Sequence, residues 1–122
     1  MIKLRSVLVA LASLLAASSA SAQQNFVCPL NPSAYLGMSG ACWVNVAVNG
    51  TIITQICSVS EIVGGVTPEA CMGWYTSLLT WRTLGKSGFI YFDPGNPANQ
   101  GTTSCGQFAS WQARVPYHVD AG

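Results

Sequence analysis

One strongly capped helix in the middle of the chain limits the folds that this sequence can adopt. Thr67 supplies an N-cap hydroxyl, Pro68 fits the first helical position, and Glu69 places an acid near the positive end of the helix dipole. Apolar side chains recur at i+3 and i+4 and predict a core-facing stripe of Cys71, Trp74, Tyr75, Leu78 and either Trp81 or Arg82. The helix should run to about residue 84, with Gly85 as its stop.

Strand patterns lie on both sides of this helix. Residues 44–48 alternate valine with asparagine or alanine, which is the period of a strand with one buried face. Asn49-Gly50 predicts a two-residue hairpin turn, and the β-branched residues of 51–59 predict the return strand. Residues 89–92 and 105–115 each predict a strand after the helix, whereas residues 23–38 predict an extended lead-in.

The order is therefore strand, strand, helix, strand, strand, with room for one further short strand. This order is typical of a mainly β domain with one helix, and it fits an OB-fold, a small and partly open Greek-key barrel. A β-sandwich fits less well because the capped helix lies mid-chain. An α+β sheet with one helix packed across it is the competing architecture.

The first 22 residues predict a secretory signal peptide. Lys3 and Arg5 precede a short apolar run at 6–17, and Ala20-Ser21-Ala22 fits cleavage after Ala22. The run is shorter than the roughly 20 residues that a membrane span needs, so no membrane span is expected. We expect a secreted or periplasmic chain in which residues 23–122 form a single OB-like domain.

The predicted mature part carries three basic and four acidic residues, so its net charge is −1 with His118 neutral. It has no basic stripe that could follow phosphates, and we expect no nucleic-acid partner. The acids are scattered and form no recognisable catalytic pair, so we expect neither enzyme activity nor a cofactor. A small hydrolase that uses His118 with Asp120 is an alternative.

All five cysteines lie in the predicted mature part: Cys28, Cys42, Cys57, Cys71 and Cys105. In an exported chain of this size they predict two disulfides and one remaining cysteine. Metal binding is not expected, because there is no CxxC motif and only one histidine. An ideal two-residue hairpin would place Cys42 opposite Cys57, where a disulfide is permitted but strained, so the residues alone leave the pairing open.

Three stretches give the chain a resemblance to a known family. GMSG at 37–40 precedes the hairpin ACWVNVAVNGTIITQIC, one cysteine ends that hairpin, and a second starts the helix. In LLTWRTLGKSGFIYFDPG, at 78–95, the helix passes directly into an aromatic strand and an acid-Pro-Gly turn. Over about residues 37–95 the chain resembles the binding subunit of subtilase cytotoxin and its relatives, the pentameric B subunits of one-A, five-B toxins. The resemblance implies an OB fold, a ring of five copies and recognition of sialylated glycans.

The resemblance also implies residues for a glycan site. Ser39 falls at the family's glycan-contacting serine, and Gly37 and Gly40 would let a ligand approach the backbone closely. Toxin members of the family carry an aromatic residue just beyond the acid-Pro-Gly turn, but residues 96–101 here are NPANQG. Asn96 is the polar residue expected to bind glycan at that position, and the sugar itself is left open.

The same resemblance pairs Cys57 with Cys71. Cys105 would then take Cys42 or Cys28, and Cys42–Cys105 is the expected second pair.

These observations lead to one functional hypothesis and one alternative. The hypothesis is a secreted, non-enzymatic carbohydrate-binding subunit of a ring-shaped homo-oligomer, a pentamer, whose partner is a cell-surface glycan. A separate catalytic A subunit would supply any toxic activity. The alternative is a secreted, disulfide-braced interaction module without glycan binding, such as a periplasmic inhibitor or an envelope structural subunit.

Overall fold

The computed structural model describes residues 24–122, so the predicted signal peptide lies outside the described residues. Four strands precede the α-helix: β1 Phe26–Leu30, β2 Leu36–Met38, β3 Trp43–Val48 and β4 Ile52–Ser58. The helix, α1, spans Pro68–Thr83. Three strands follow it: β5 Gly88–Phe92, β6 Gln112–Ala113 and β7 His118–Ala121. The prediction of a mainly β fold with one α-helix is confirmed for this part of the chain.

All seven strands belong to one sheet. Its order is β6-β4-β3-β1-β5-β7, and β2 pairs with β3 beside this path. Every pairing is antiparallel except that of β4 with β6. The closure of this sheet into an OB-type barrel stays a prediction.

The helix forms as its local signals predict. The Thr67 hydroxyl oxygen accepts a hydrogen bond from the Ala70 N–H at 3.2 Å, and Pro68 occupies the first turn. Gly85 follows the helix with a φ of +68°, a conformation that glycine adopts without the strain of a side chain. The predicted stripe faces the core, with two buried and three half-buried members: Cys71, Leu78, Trp74, Tyr75 and Trp81.

The hairpin between β3 and β4 differs from the predicted two-residue turn. Val48 pairs with Ile52, which leaves a three-residue loop at 49–51. A register shift after Val44 then places Cys57 opposite Val44 rather than opposite Cys42. The cause is non-local: the Asn49 N–H donates to the Pro29 carbonyl at 2.9 Å, so the docking of β1 fixes where the hairpin turns.

The extended lead-in of 23–38 contains two strands, and β1 pairs with β5 over its full length. The predicted strand at 105–115 is wrong, because only Gln112–Ala113 pairs with the sheet. Two short 3-10 helices, Pro97–Asn99 and Cys105–Gln107, shape this region instead. The buried Phe108 ring lies edge-on to Phe92 with 4.9 Å between ring centroids, so core packing draws this segment out of the sheet.

Two disulfides brace the fold. Cys57 bonds Cys71, the pair that the resemblance implies, and ties β4 to the first turn of α1. Cys28 bonds Cys105, so the expected Cys42–Cys105 pair is wrong. The 3-10 helix that begins at Cys105 packs beside β1, which carries Cys28. Cys42 is free, and it lies in the turn between β2 and β3.

The two disulfides should contribute unequally to stability. The Cys28–Cys105 bond joins cysteines that are 77 residues apart in the sequence, whereas the Cys57–Cys71 bond joins cysteines that are 14 residues apart. Chain-entropy loss in the unfolded state is then worth about 4–5 kcal/mol for the first bond and about 3 kcal/mol for the second. We expect Cys28→Ala/Cys105→Ala to lower the free energy of unfolding more than Cys57→Ala/Cys71→Ala does. Urea denaturation of both double variants measures this difference, and an equal loss would contradict it.

Candidate functional site

The predicted glycan-contact segment lies at the junction of β2 and β3. Gly37 is in β2, directly opposite Asn45 of β3. Ser39 starts the turn into β3: its N–H donates to the Trp43 carbonyl at 2.9 Å, and its carbonyl accepts from the Cys42 N–H at 2.9 Å. Gly40 lies exposed in the same turn. Pairing with β3 therefore fixes the backbone of Gly37 and Ser39.

We use the term outer face for the side of β2, β3, β4 and β6 that points away from the hydrophobic core. Gly37 belongs to this face. Cross-strand pairing places Gly37, Asn45, Gln55 and Ala113 in one row across the four strands. Paired residues point to the same side of a sheet, and the alternate residues on β2 and β3 belong to the core. Asn45 is nevertheless only 1% exposed, so other side chains cover this face.

An exposed aromatic pair lies on the outer face. The Tyr35 hydroxyl lies over Gly37, 3.2 Å from the position that a Cβ would occupy there. The Tyr35 ring meets Trp111 edge-to-face, with 5.9 Å between ring centroids. Trp111 is 55% exposed and has a φ of +66°, which is rare for a bulky side chain. Its backbone is held by β4, because its N–H donates to the Ile53 carbonyl at 2.6 Å.

Two buried oxygens near Gly37, one on the opposite residue of β3 and one two residues further along the chain, have no intramolecular hydrogen-bond partner. They are Ser39 Oγ and Asn45 Oδ1, the only buried side-chain polar atoms in the described residues with this property. A nitrogen of each of these two residues donates to the Trp43 carbonyl: the Ser39 backbone N–H at 2.9 Å and the Asn45 Nδ2 at 3.3 Å. A buried polar group without a partner costs about 1–3 kcal/mol. A molecule that supplied hydrogen bonds to both would recover part of that cost.

Both oxygens are shielded from solvent in the observed conformation. Contact with a ligand therefore requires rotation of the Ser39 side chain or displacement of the Tyr35 ring from Gly37. The Tyr35 side chain is 37% exposed and can move without opening the core. The glycine beneath it gives a ligand room to approach the backbone.

One positive charge is fixed close to this segment. Arg82 Nη1 donates to the carbonyl of Leu36, the residue before Gly37, at 3.2 Å. A guanidinium has five N–H donors, so the others can serve a carboxylate. Ser39 follows Leu36 by three residues, a distance of about 10 Å along an extended strand.

Asn96 lies elsewhere. Its side chain caps the first 3-10 helix, accepting from the Ala98 N–H at 3.0 Å, and donates to the Gly64 carbonyl at 2.9 Å. It lines a pocket of about 300 Å³ whose lining includes none of Gly37, Ser39 and Gly40. The structure thus keeps three of the predicted glycan-binding residues together and separates Asn96 from them.

Three residues of the outer-face site were not predicted: Tyr35, Asn45 and Trp111. Tyr35 lies in the segment predicted as a lead-in, and Trp111 in the segment wrongly predicted as a strand. Tyr35 and Trp111 are 76 positions apart in the sequence and are brought together by strand pairing, so no local pattern could identify them. The asparagine among the buried β3 residues was the one available signal, because a polar residue at a buried strand position needs a reason.

Comparisons with protein-family models, with curated proteins and with solved structures find no match for this chain. The resemblance to toxin B subunits therefore stays a prediction. Among residues 24–122, no three His, Cys, Asp or Glu side chains come close enough to hold a metal ion. None of the helices in this part of the chain has the length and apolar composition needed to cross a membrane.

His118 and Asp120 lie on the edge strand β7. His118 Nε2 is 3.7 Å from Asp120 Oδ2, and both side chains are largely exposed. The Tyr91 hydroxyl donates to Asp120 Oδ2 at 3.3 Å. Partial desolvation raises the pKa of Tyr91 above 10.0, and the charge and hydrogen bond of Asp120 raise it further.

The interaction with Asp120 predicts an alkaline titration shift. The neutral phenol is favoured in the folded chain, so its stabilising contribution is complete below the ordinary tyrosine pKa and is lost as pH rises through the higher folded value. Asp120→Asn removes the charge and should lower the tyrosinate titration midpoint of Tyr91. Ultraviolet titration of the native chain, of this variant and of Tyr91→Phe identifies the transition. An unchanged midpoint in Asp120→Asn would contradict the assignment.

Proposed function

We propose that this protein is a secreted, non-enzymatic carbohydrate-binding subunit of a ring-shaped, toxin B-like oligomer built on an OB-type barrel. The glycan site lies on the outer face at Gly37, Ser39 and Gly40, with Tyr35, Asn45 and Trp111 as further contacts. A cell-surface glycan is the partner, and any toxic activity belongs to a separate A subunit. The two disulfides fit export to an oxidising compartment, outside the cell or in the periplasm.

The observation that carries the proposal is a pair of buried, unpartnered oxygens on either side of the β2–β3 pairing: Asn45 Oδ1, opposite the Gly37 that the Tyr35 hydroxyl overlies, and Ser39 Oγ, two residues after Gly37. Sugar hydroxyls both donate and accept, so one hydroxyl can donate to Asn45 Oδ1 while another accepts from the Ser39 hydroxyl. The C–H face of a pyranose can pack on Trp111, which is exposed and held rigidly by β4. The resemblance points to Ser39 independently of this geometry.

Arg82 supports an acidic sugar as the ligand. Its guanidinium is exposed and fixed against β2, where it can form a charge-assisted hydrogen bond to a sugar carboxylate. Arg114 is a poorer partner, because its guanidinium is buried and already donates to three neutral oxygens. Sialylated glycans are accordingly the first class to test.

Glycan-array binding should depend on Ser39 and, selectively, on Arg82. Ser39→Ala should weaken binding to all bound glycans by about two- to tenfold, the value of one hydrogen bond. Arg82→Gln should weaken binding to carboxylate-bearing glycans and leave neutral glycans unaffected. Ser33→Ala, an exposed loop serine in the same N-terminal segment, is the matched control.

Two outcomes of that experiment would contradict the proposal. Equal binding by Ser39→Ala and Ser33→Ala would remove Ser39 from the site. Absence of binding to every glycan by the native chain would favour the alternative, an interaction module without glycan binding.

The proposal of a ring is supported by the two edge strands of the sheet. Along its path β6 and β7 each have a neighbour on one side only, and an edge strand can pair with another copy of the chain. Several weak sites on one ring would bind a cell surface with an avidity that a single site lacks.

Light scattering on the disulfide-bonded chain without residues 1–22 tests the ring. We expect a mass five times that of one chain at micromolar concentration. Cys42→Ser should leave that mass unchanged, because non-covalent edge pairing rather than a disulfide through Cys42 holds the copies together. A monomeric mass would argue against the ring and leave the glycan site to be judged on its own data.

A further inference from the structure

The pocket beside the start of α1 is separate from the outer-face site. Its lining comprises the turn at 64–67, Ala70 and Trp74 of α1, Asn96, and Pro116-Tyr117 before β7. We infer that this pocket is a second ligand site and that it binds one neutral pyranose unit. The inference is independent of the outer-face site, because no residue of that site lines the pocket; among the residues that the resemblance implies for glycan binding, Asn96 alone does.

The size of the pocket limits the ligand. Its volume of about 300 Å³ lies at the lower end of the range of about 300–1,000 Å³ that small-molecule sites occupy. A single small ring fits this volume, whereas a peptide segment or an oligosaccharide would extend beyond it.

Each wall of the pocket is held by its own interaction. The Cys57–Cys71 disulfide fixes the first turn of α1, and the Asn96 side chain holds the Gly64 carbonyl at 2.9 Å. Asn99 is fully buried and bonds both the N–H and the carbonyl of Val115, the residue before Pro116. Because the walls are fixed before a ligand arrives, binding costs little conformational entropy.

The turn at the base of the pocket depends on glycine. Gly64 and Gly65 have φ values of +56° and +81°. A Cβ on Gly64 would lie 3.0 Å from the side chains of both Ala98 and Val115, so a larger residue cannot pack there. Gly65 has open space where its side chain would be. The backbone of the turn is thereby presented to the pocket without side chains in the way.

The chemistry of the lining matches a neutral sugar. Trp74 and Tyr117 offer aromatic surface, and the Tyr117 side chain is 51% exposed rather than buried in the core. The Thr67 hydroxyl, which accepts from the Ala70 N–H, can still donate its own hydrogen, and the Asn96 amide, which bonds Ala98 and Gly64, keeps a second N–H. The lining includes no acid, lysine, arginine or histidine. A pyranose has an apolar C–H face and a hydroxyl-bearing edge, and it needs no counter-charge.

Saturation-transfer NMR with methyl glycosides of glucose, galactose, mannose and N-acetylglucosamine tests the site on the disulfide-bonded chain. We expect at least one to bind. Ala70→Leu fills the pocket from an exposed helix position without creating a cavity and should reduce affinity at least about tenfold. Tyr117→Ala should reduce it by about two- to tenfold, the value of one aromatic contact.

A matched control makes the result decisive. Ser77→Leu places the same side chain at an exposed position of α1 outside the pocket and should bind as the native chain does. The inference is overturned if none of the four glycosides binds or if Ala70→Leu binds as well as Ser77→Leu.

Discussion

The arrangement of the C-terminal third depends on one buried amide. Asn99 Nδ2 donates to the carbonyls of Asp93 and Val115 at 3.0 Å each, and Asn99 Oδ1 accepts from the Val115 N–H. The loop after β5 is thus joined to the segment that leads into β7, at a place where neither segment has a strand partner. Without this side chain both polar backbone groups of Val115 would lose their partner, at about 1–3 kcal/mol each. That junction positions Pro116, which lines the pocket, and it positions the chain just before β7, which pairs with β5.

The two proposed sites differ in how ready they are to bind. The pocket beside α1 is open, and its walls are fixed by a disulfide and by two asparagine side chains. The outer-face site is closed by the Tyr35 ring over Gly37, and its polar oxygens are shielded. A ligand for the pocket meets a preformed surface, whereas binding of a glycan on the outer face requires rotation of the Ser39 side chain or displacement of the Tyr35 ring. Hydrogen bonds of the glycan to Ser39 and Asn45 would supply the free energy for that rearrangement.

Local signals predicted the elements that depend on local physics. The N-cap at Thr67, the helical stripe and the stop at Gly85 each require only neighbouring residues, and all three occur as expected. The strands β1 and β7 escaped prediction because their partner, β5, lies far along the chain. The strand β2 pairs with its neighbour β3 and escaped because its three residues are too few to show an alternating pattern. Phe108 shows the same limit: an alternating pattern predicts a strand, but the aromatic core at Phe92 draws the segment inward. Ser39 and Gly37 were predicted from the resemblance, whereas their neighbours Tyr35, Asn45 and Trp111 were identified only from the strand pairing.

The Cys28–Cys105 bond also has a consequence for how the chain reaches this structure. A polypeptide that emerges from its N-terminus exposes Cys28 first, and Cys42, Cys57 and Cys71 all appear before the partner that Cys28 needs. Cys42, which has no partner in the folded chain, is the nearest competitor in time and in sequence. Correct pairing can be reached in two ways. Cys28 stays reduced until β5 has docked against β1, or a thiol–disulfide exchange catalyst breaks an early Cys28–Cys42 bond. Folding yield would then depend on the oxidoreductases of the compartment as much as on the sequence itself.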